Sequence, residues 1–205
     1  MQPGTRNPLM SSPRRGGCCS VAGESGSCPG LGEAAGDDPA FHRELRAVAG
    51  RVQGLLAGRT VLEPLSGDGW WTAHLSQAAR HVTALETNPD ALRTAAGRRH
   101  PPGRVRVIRA SPDSLVHLPE SFDGAFCPFL RMAEDSSNER RLLPLLHDRL
   151  GPGGKIVLVD TRKARDMASP QAQSALRERV RALAPDARSV RLDVGERLWC
   201  LSYTL

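Results

Sequence analysis

The stretch VLEPLSGDG, residues 61–69, places chemically capable residues at the end of an apolar run. Glu63 closes the run, and Gly67 and Gly69 flank Asp68 in the turn that follows. Glycines in such a turn let the backbone bend sharply and approach a ligand with no side chain between them. The next segment, WWTAHLSQAAR, reads as a helix, whose free N–H groups and positive dipole end suit a carboxylate or a phosphate. A dinucleotide fingerprint, GxGxxG, needs a third glycine for close helix packing against a pyrophosphate. Thr72 stands in that place here, and Asp68 adds negative charge beside the turn. A ligand with an amino group and a single carboxylate fits better. Glu86 ends the next apolar run, 17 residues after Gly69. A carboxylate there can accept both ribose hydroxyls of an adenosine, in charge-assisted hydrogen bonds worth ~1.5–3 kcal/mol. Asn88 is the better cap for the helix that starts at Pro89, which leaves Glu86 for the ribose. Glu63 either bonds local backbone at the strand end or faces the ligand.

The elements that must position these residues alternate along the chain. AFHRELRAVAGRVQGLL, within 40–57, repeats Phe41, Leu45, Val48, Val52 and Leu55 at three- and four-residue steps, which predicts a helix with one apolar face. RTVLEPL, HVTALET, RVRVIRAS, FDGAFCPF and KIVLVDT read as strands. WWTAHLSQAAR, PDALRTAAGRR, NERRLLPLLHDRL and PQAQSALRERVRAL read as the helices between them, the third either kinked by its internal proline or starting late. The stretch after RVRVIRAS reads as irregular. SVRLDV and RLWCLSYTL form a closing hairpin across a short turn at GE. Strands alternating with helices imply a mostly parallel, doubly wound α/β sheet of about seven strands covered on both faces. The hairpin inserts an antiparallel strand that no crossover can make, which separates this layout from a plain dinucleotide fold.

Composition bounds the rest. The chain has 205 residues, 40% hydrophobic and 24% charged, as a globular protein does. No uninterrupted apolar stretch approaches the roughly 18 residues of a membrane span. The net charge of +6 is almost all arginine, with Lys155 and Lys163 the only lysines, and the arginines are spread over every segment. That spread argues against a basic nucleic-acid stripe. Of five cysteines, Cys18, Cys19 and Cys28 lie near the N-terminus without CxxC spacing, and Cys127 and Cys200 lie in apolar strands. No metal site is expected, and a reduced, cytoplasmic setting is the simplest. SPRRGGCCS has paired arginines but no apolar segment beside it, so neither an export signal nor a lipid anchor is read there. Residues 1–38, rich in Gly, Ser and Pro, are expected to be a disordered tail, and 39–205 one domain.

VLEPLSGDG, VTALETNPDAL, VRVIRAS, FDGAFCPFL and LGPGGKIVLVD, in this order and spacing, resemble the class I S-adenosylmethionine-dependent methyltransferases. The resemblance runs from about residue 45 to the C-terminus, and is nearest to small actinobacterial-type members that close with a strand like LWCLSY. It implies S-adenosylmethionine as cofactor. Glu63, Gly67, Asp68 and Gly69 would surround the methionine moiety, and Glu86 would hold the ribose. Ala110 and Ser111 would flank the adenine, and Cys127 with Pro128 would close the pocket near the methyl-bearing sulfur. The chain departs from the family in three places. Leu65 replaces the first glycine of the turn, Ser111 replaces the acid that takes the adenine amino group (Asp113 is a possible substitute), and the loop after KIVLVDT is short.

Methyl transfer from a sulfonium is an in-line displacement in which positioning contributes ~7–11 kcal/mol. No dedicated base stands out; His117, Arg131 and Asp160 lie where strands end, with His117 the best placed, and each also reads as a solvated loop residue. Substrate contacts are expected from the 40–57 helix, from PFLRMAEDSSNE and from TRKARDMASP. CPF echoes the D/N-P-P-Y/F motif of enzymes that methylate base amines, but Cys127 replaces the residue that would hold the amine. A small-molecule acceptor is therefore expected. The alternatives are a nucleic-acid-modifying methyltransferase and a catalytically silent binding protein of the same fold. Trp71 shares a helical face with Leu75 and Ala78 and is expected in the core; Trp70 lies beneath the N-terminal helix or at the cofactor mouth.

Overall fold

The computed structural model describes residues 38–130, 137–161 and 169–205. Residues 1–37 of the expected tail, with Cys18, Cys19 and Cys28, and residues 131–136 and 162–168 of the two acceptor loops, with Arg131 and Lys163, lie outside the described residues. The first element is helix α1 (Pro39–Leu56). Strands β1 (Thr60–Glu63), β2 (His81–Glu86) and β3 (Val105–Arg109) alternate with α2 (Trp70–Ala78) and α3 (Pro89–Gly97). Next come β4 (Gly124–Pro128), α4 (Ser137–Leu150), β5 (Lys155–Thr161), α5 (Pro170–Leu183), β6 (Arg188–Val194) and β7 (Leu198–Thr204).

The strands form one seven-stranded sheet in the order β3-β2-β1-β4-β5-β7-β6. All pairs among the first five strands are parallel, and β7 runs antiparallel between β5 and β6. Alternate residues of the central strands feed two cores, because successive side chains point to opposite faces. Leu62, Leu85, Cys127, Leu158 and Leu201 meet Leu143, Leu146 and Val180 on one face. Val61, Val82, Phe126, Val157 and Val159 meet Phe41, Val52 and Trp71 on the other.

The structure differs from the sequence expectation at three points. The buried stripe of α1 is Phe41, Leu45, Ala49, Val52 and Leu56, while Val48 and Leu55 are only partly buried. The small side chain of Ala49 sits in the seam that α1 makes with its neighbours, and the bulkier residues fall to its margins. α4 does not start late: it begins at Ser137, and Pro144 lies inside it. The stretch after β3 is not irregular: Pro112–His117 form a 3-10 helix, opened by the fixed φ of Pro112 and anchored by the buried Leu115.

The sheet order reverses between β1 and β4. In an open α/β sheet a ligand binds in the crevice beyond the strand ends at this switch point. The turn after β1 and the end of β4 border that crevice. The N-terminal half of α1 lies at the same edge, because α1 runs back along the sheet to reach β1. Glu44 ties it there by accepting from the N–H groups of Arg197 and Leu198, in the turn between β6 and β7, at 3.1 and 3.0 Å.

Candidate active site

The turn after β1 is held by its own backbone and by the end of β2. The Ser66 N–H and hydroxyl both donate to the carbonyl of Leu85, at 3.0 and 3.2 Å. Gly67 has φ 56° and donates its N–H to Glu86 Oε2 at 2.9 Å. Gly69 has φ 77° and is the N-cap of α2. A Cβ on Gly69 would lie 2.8 Å from Ala95 Cβ and 3.0 Å from Ala95 Cα, so α3 packs directly on this glycine. Left-handed φ and contact with α3 both account for glycine at this position.

The carboxylates around the turn are engaged by the protein. Arg98, just after α3, donates to Asp68 Oδ2 at 2.5 Å and to the Asp68 carbonyl at 2.7 Å, and Asp68 Oδ1 accepts the N–H of Trp70. Glu86 Oε1 accepts the N–H groups of Thr87 and Asn88 at 2.7 and 2.8 Å. Asn88 caps α3 through its own side chain. Glu63 is fully buried and its Oε2 accepts the Thr72 hydroxyl at 2.6 Å, while Oε1 has no hydrogen-bond partner. Burial pushes the Glu63 carboxyl up to about 8, partly offset by the Thr72 hydrogen bond and reinforced by the charge of Asp68. The position where a dinucleotide binder has its third glycine is thus spent on a hydroxyl that holds this acid.

The remaining expected residues surround the crevice. Ala110 donates its N–H to the Glu86 carbonyl at 3.1 Å, which sets the end of β3 against the end of β2. Ser111 precedes the 3-10 helix, and its hydroxyl makes no capping bond there. Asp113 is an ion-pair partner of Arg141, at 2.8 Å. Cys127 is fully buried, and burial followed by the Glu63 charge pushes its thiol far above the ordinary value. Phe129, with φ 54°, turns the chain after β4. His117 is exposed at the end of the 3-10 helix, and Asp160 is buried, with Oδ1 accepting the N–H of Thr161 at 2.7 Å. Trp71 lies in the core against Phe126, with ring centroids 4.9 Å apart.

Residues 61–154 match the family described as a methyltransferase domain. The match takes in the turn after β1, Glu86, β3 and β4 and ends just before β5. No curated protein matches the chain. Among solved structures it is similar to the "DhpI-SAM-HEP complex", with TM-score 0.64, 22% identity, and 84% of this chain and 90% of that one covered. It is also similar to the N-methyltransferase NodS from Bradyrhizobium japonicum WM9, with TM-score 0.59, 19% identity and coverage of 82% and 98%. An rRNA methylase from Streptococcus thermophilus aligns with TM-score 0.52, 17% identity and coverage of 78% and 95%. The structure of DhpI is a complex with SAM by its description, and no helix among the described residues of the present chain is long and apolar enough to cross a membrane.

Beside the turn lies a feature for which the sequence offers α1 as a source of substrate contacts and Trp70 as a residue beneath that helix, but not His74. A groove of about 830 Å³ opens between the first half of α1 and the start of α2, lined by Arg43, Arg46, Trp70 and His74 among others. The Trp70 ring stacks on His74 at 3.9 Å and meets Trp71 edge-on. His74 Nδ1 lies 2.9 Å from the Trp70 carbonyl, which can only accept, so Nδ1 carries the proton and Nε2 remains as the second ring nitrogen. The signal in the sequence was the four-residue spacing of Trp70 and His74, which puts them one turn apart on one helix face.

Proposed function

We propose that this chain is an S-adenosylmethionine-dependent methyltransferase that acts on a small-molecule acceptor bound next to a cofactor held at the switch-point crevice. The groove carries this reading: about 830 Å³ is the size of a site for one small ligand, and it begins at Trp70, the residue after the cofactor turn.

The residues fit S-adenosylmethionine. Two left-handed glycines form the turn, a buried carboxyl oxygen of Glu63 is unpartnered, and the Ser111 hydroxyl is not spent on its helix. Gly67, Gly69 and the first N–H groups of α2 would take the methionine end, with Glu63 behind them. Glu86 would take the ribose. Three backbone N–H groups already use three of its about four lone-pair positions, so the carboxylate arrives oriented, with about one position left for a hydroxyl. Ala110 and Ser111 would border the adenine, and Cys127 would close the apolar side of the crevice. Asp68 contributes as a brace through Arg98, keeping the turn in register with α3.

When bound, the cofactor supplies a methyl group on a sulfonium, and the protein supplies alignment and a dry surrounding. The corner offers no strong base. Burial keeps the Cys127 thiol protonated, and Glu63 stays protonated up to about pH 8. His74 Nε2, at the groove, is better placed than the exposed His117 to accept a proton from an acceptor.

The test is to incubate the full chain with methyl-labelled S-adenosylmethionine and, separately, a small-molecule cell extract or purified total RNA. Label in the small-molecule fraction is expected. Label in RNA, with none in small molecules, would overturn the reading in favour of the nucleic-acid alternative.

A further inference from the structure

The charges around the α1–α2 groove are arranged unevenly. Most arginines near this edge have an acidic partner: Arg51 pairs with Asp193, Arg98 with Asp68 and Arg197 with Asp38. Arg43 and Arg46, one helical turn apart on α1, are exposed, line the groove and form no ion pair among the described residues. The acids of the same stretch point elsewhere. Asp38 caps α1 and holds Arg197, and Glu44 accepts the backbone of the β6–β7 turn. The groove therefore carries two guanidinium groups with no acidic partner among the described residues.

Its other wall is aromatic. Trp70 is the only partly exposed tryptophan of the three in the chain; Trp71 is 2% and Trp199 1% exposed. The indole is fixed by its stack on His74 and its edge contact with Trp71, and Gln53 of α1 donates to the His74 carbonyl at 2.7 Å. A pre-set flat aromatic face beside paired guanidinium groups recognises a planar ring that bears an anion. The ring stacks, and a carboxylate or phosphate receives bidentate hydrogen bonds from arginine.

We propose that this groove is the acceptor site and that it selects a planar organic anion, its ring against Trp70 and its carboxylate or phosphate held by Arg43 and Arg46. The proposal deepens the small-molecule reading and rests on it. It gives the free arginines a role that a neutral acceptor would not use.

The probe pairs are benzoate with benzamide and phenyl phosphate with benzyl alcohol, so that each anion is matched by a neutral compound carrying a similar ring. The readout is the indole N–H resonances of the full chain with ¹⁵N-labelled tryptophan, of which there are three; the Trp70 resonance is assigned by its loss in Trp70→Phe. Benzoate and phenyl phosphate should shift the Trp70 resonance saturably and leave the other two in place, and the neutral compounds should bind at least about tenfold more weakly. The double variant Arg43→Ala/Arg46→Ala should lose at least about tenfold in affinity for the anions and none for benzamide. Its thermal midpoint and its affinity for S-adenosylmethionine should stay those of the wild type, which separates a lost contact from a lost fold. Benzamide binding as well as benzoate, or a double variant that binds benzoate like the wild type, would overturn the groove's selectivity even where a small molecule is methylated. Labelling of RNA alone would overturn the small-molecule reading whatever benzoate does.

Discussion

In the corner after β1 the protein has already engaged most of its polar groups, leaving Glu63 Oε1 as the buried exception. Asp68 is braced by Arg98, Glu86 holds three backbone N–H groups, and Glu63 is buried against Thr72. A few residues away, in the groove, Arg43 and Arg46 are exposed and without an ion pair among the described residues. The contrast separates two tasks. A corner for an unchanging cofactor gains from groups fixed before the ligand arrives, because little ordering remains to be done on binding. A surface for an acceptor keeps its hydrogen-bonding capacity unspent. The corner is accordingly part of the fold's stability, and the groove is not.

The largest expected consequence is a pH dependence that belongs to the corner. Glu63 has an ordinary value of 4.5 and a folded value of about 8, so the folded chain keeps a proton that the unfolded chain releases. The Glu63 contribution to stability is therefore full below about pH 4.5, falls as pH rises by up to about 1.4 kcal/mol per unit, and levels off above about pH 8. Urea denaturation at several pH values should show this slope, and Glu63→Gln should remove it; an unchanged slope would mean that Glu63 ionises freely in the fold.

Next in size is Gly69→Ala, which combines a left-handed φ with overlap against Ala95. Strain of about 1–2 kcal/mol and overpacking of about 1–3 kcal/mol should lower Tm by roughly 5–15 °C. A smaller effect is expected from Asp68→Asn, which leaves Arg98 unpaired. It should cost about 1–2 kcal/mol in denaturation while changing cofactor affinity less than about threefold. A large loss of affinity without a loss of stability would make Asp68 a ligand rather than a brace. The smallest effect belongs to the groove: Arg43→Ala and Arg46→Ala should each stay within about 0.5 kcal/mol of the wild type. A marked destabilisation by either would erase the contrast.

The sheet was legible because its strands are apolar runs punctuated by glycine, proline and polar turns, and because a hairpin after the last helix leaves few places for β7. The glycine turn after β1 was legible in its residue types. What sequence could not supply was the pairing between them. Asp68 and Arg98 are 30 residues apart and meet only because α3 returns past the turn, and this contact ties the turn to the end of α3. The partner of Glu63 was in plain view at Thr72, but only helix geometry brings that hydroxyl back to the strand end. The groove was harder still. Arg43 and Arg46 read as the solvated face of an amphipathic helix, and His74 as one of six scattered histidines. Their meaning depends on two helices packing side by side, and on acids that could have neutralised the arginines turning toward the β6–β7 turn instead.

The central claim is that the corner after β1 is a preformed S-adenosylmethionine site oriented by Glu86. Isothermal titration of the full chain with S-adenosylmethionine, beside Glu86→Ala, tests it most directly. One cofactor per chain is expected, with the affinity falling by about 10²-fold in the variant, corresponding to about 3 kcal/mol for a lost charge-assisted hydrogen bond. No binding to the wild type at millimolar cofactor, or equal binding to both proteins, would contradict the account.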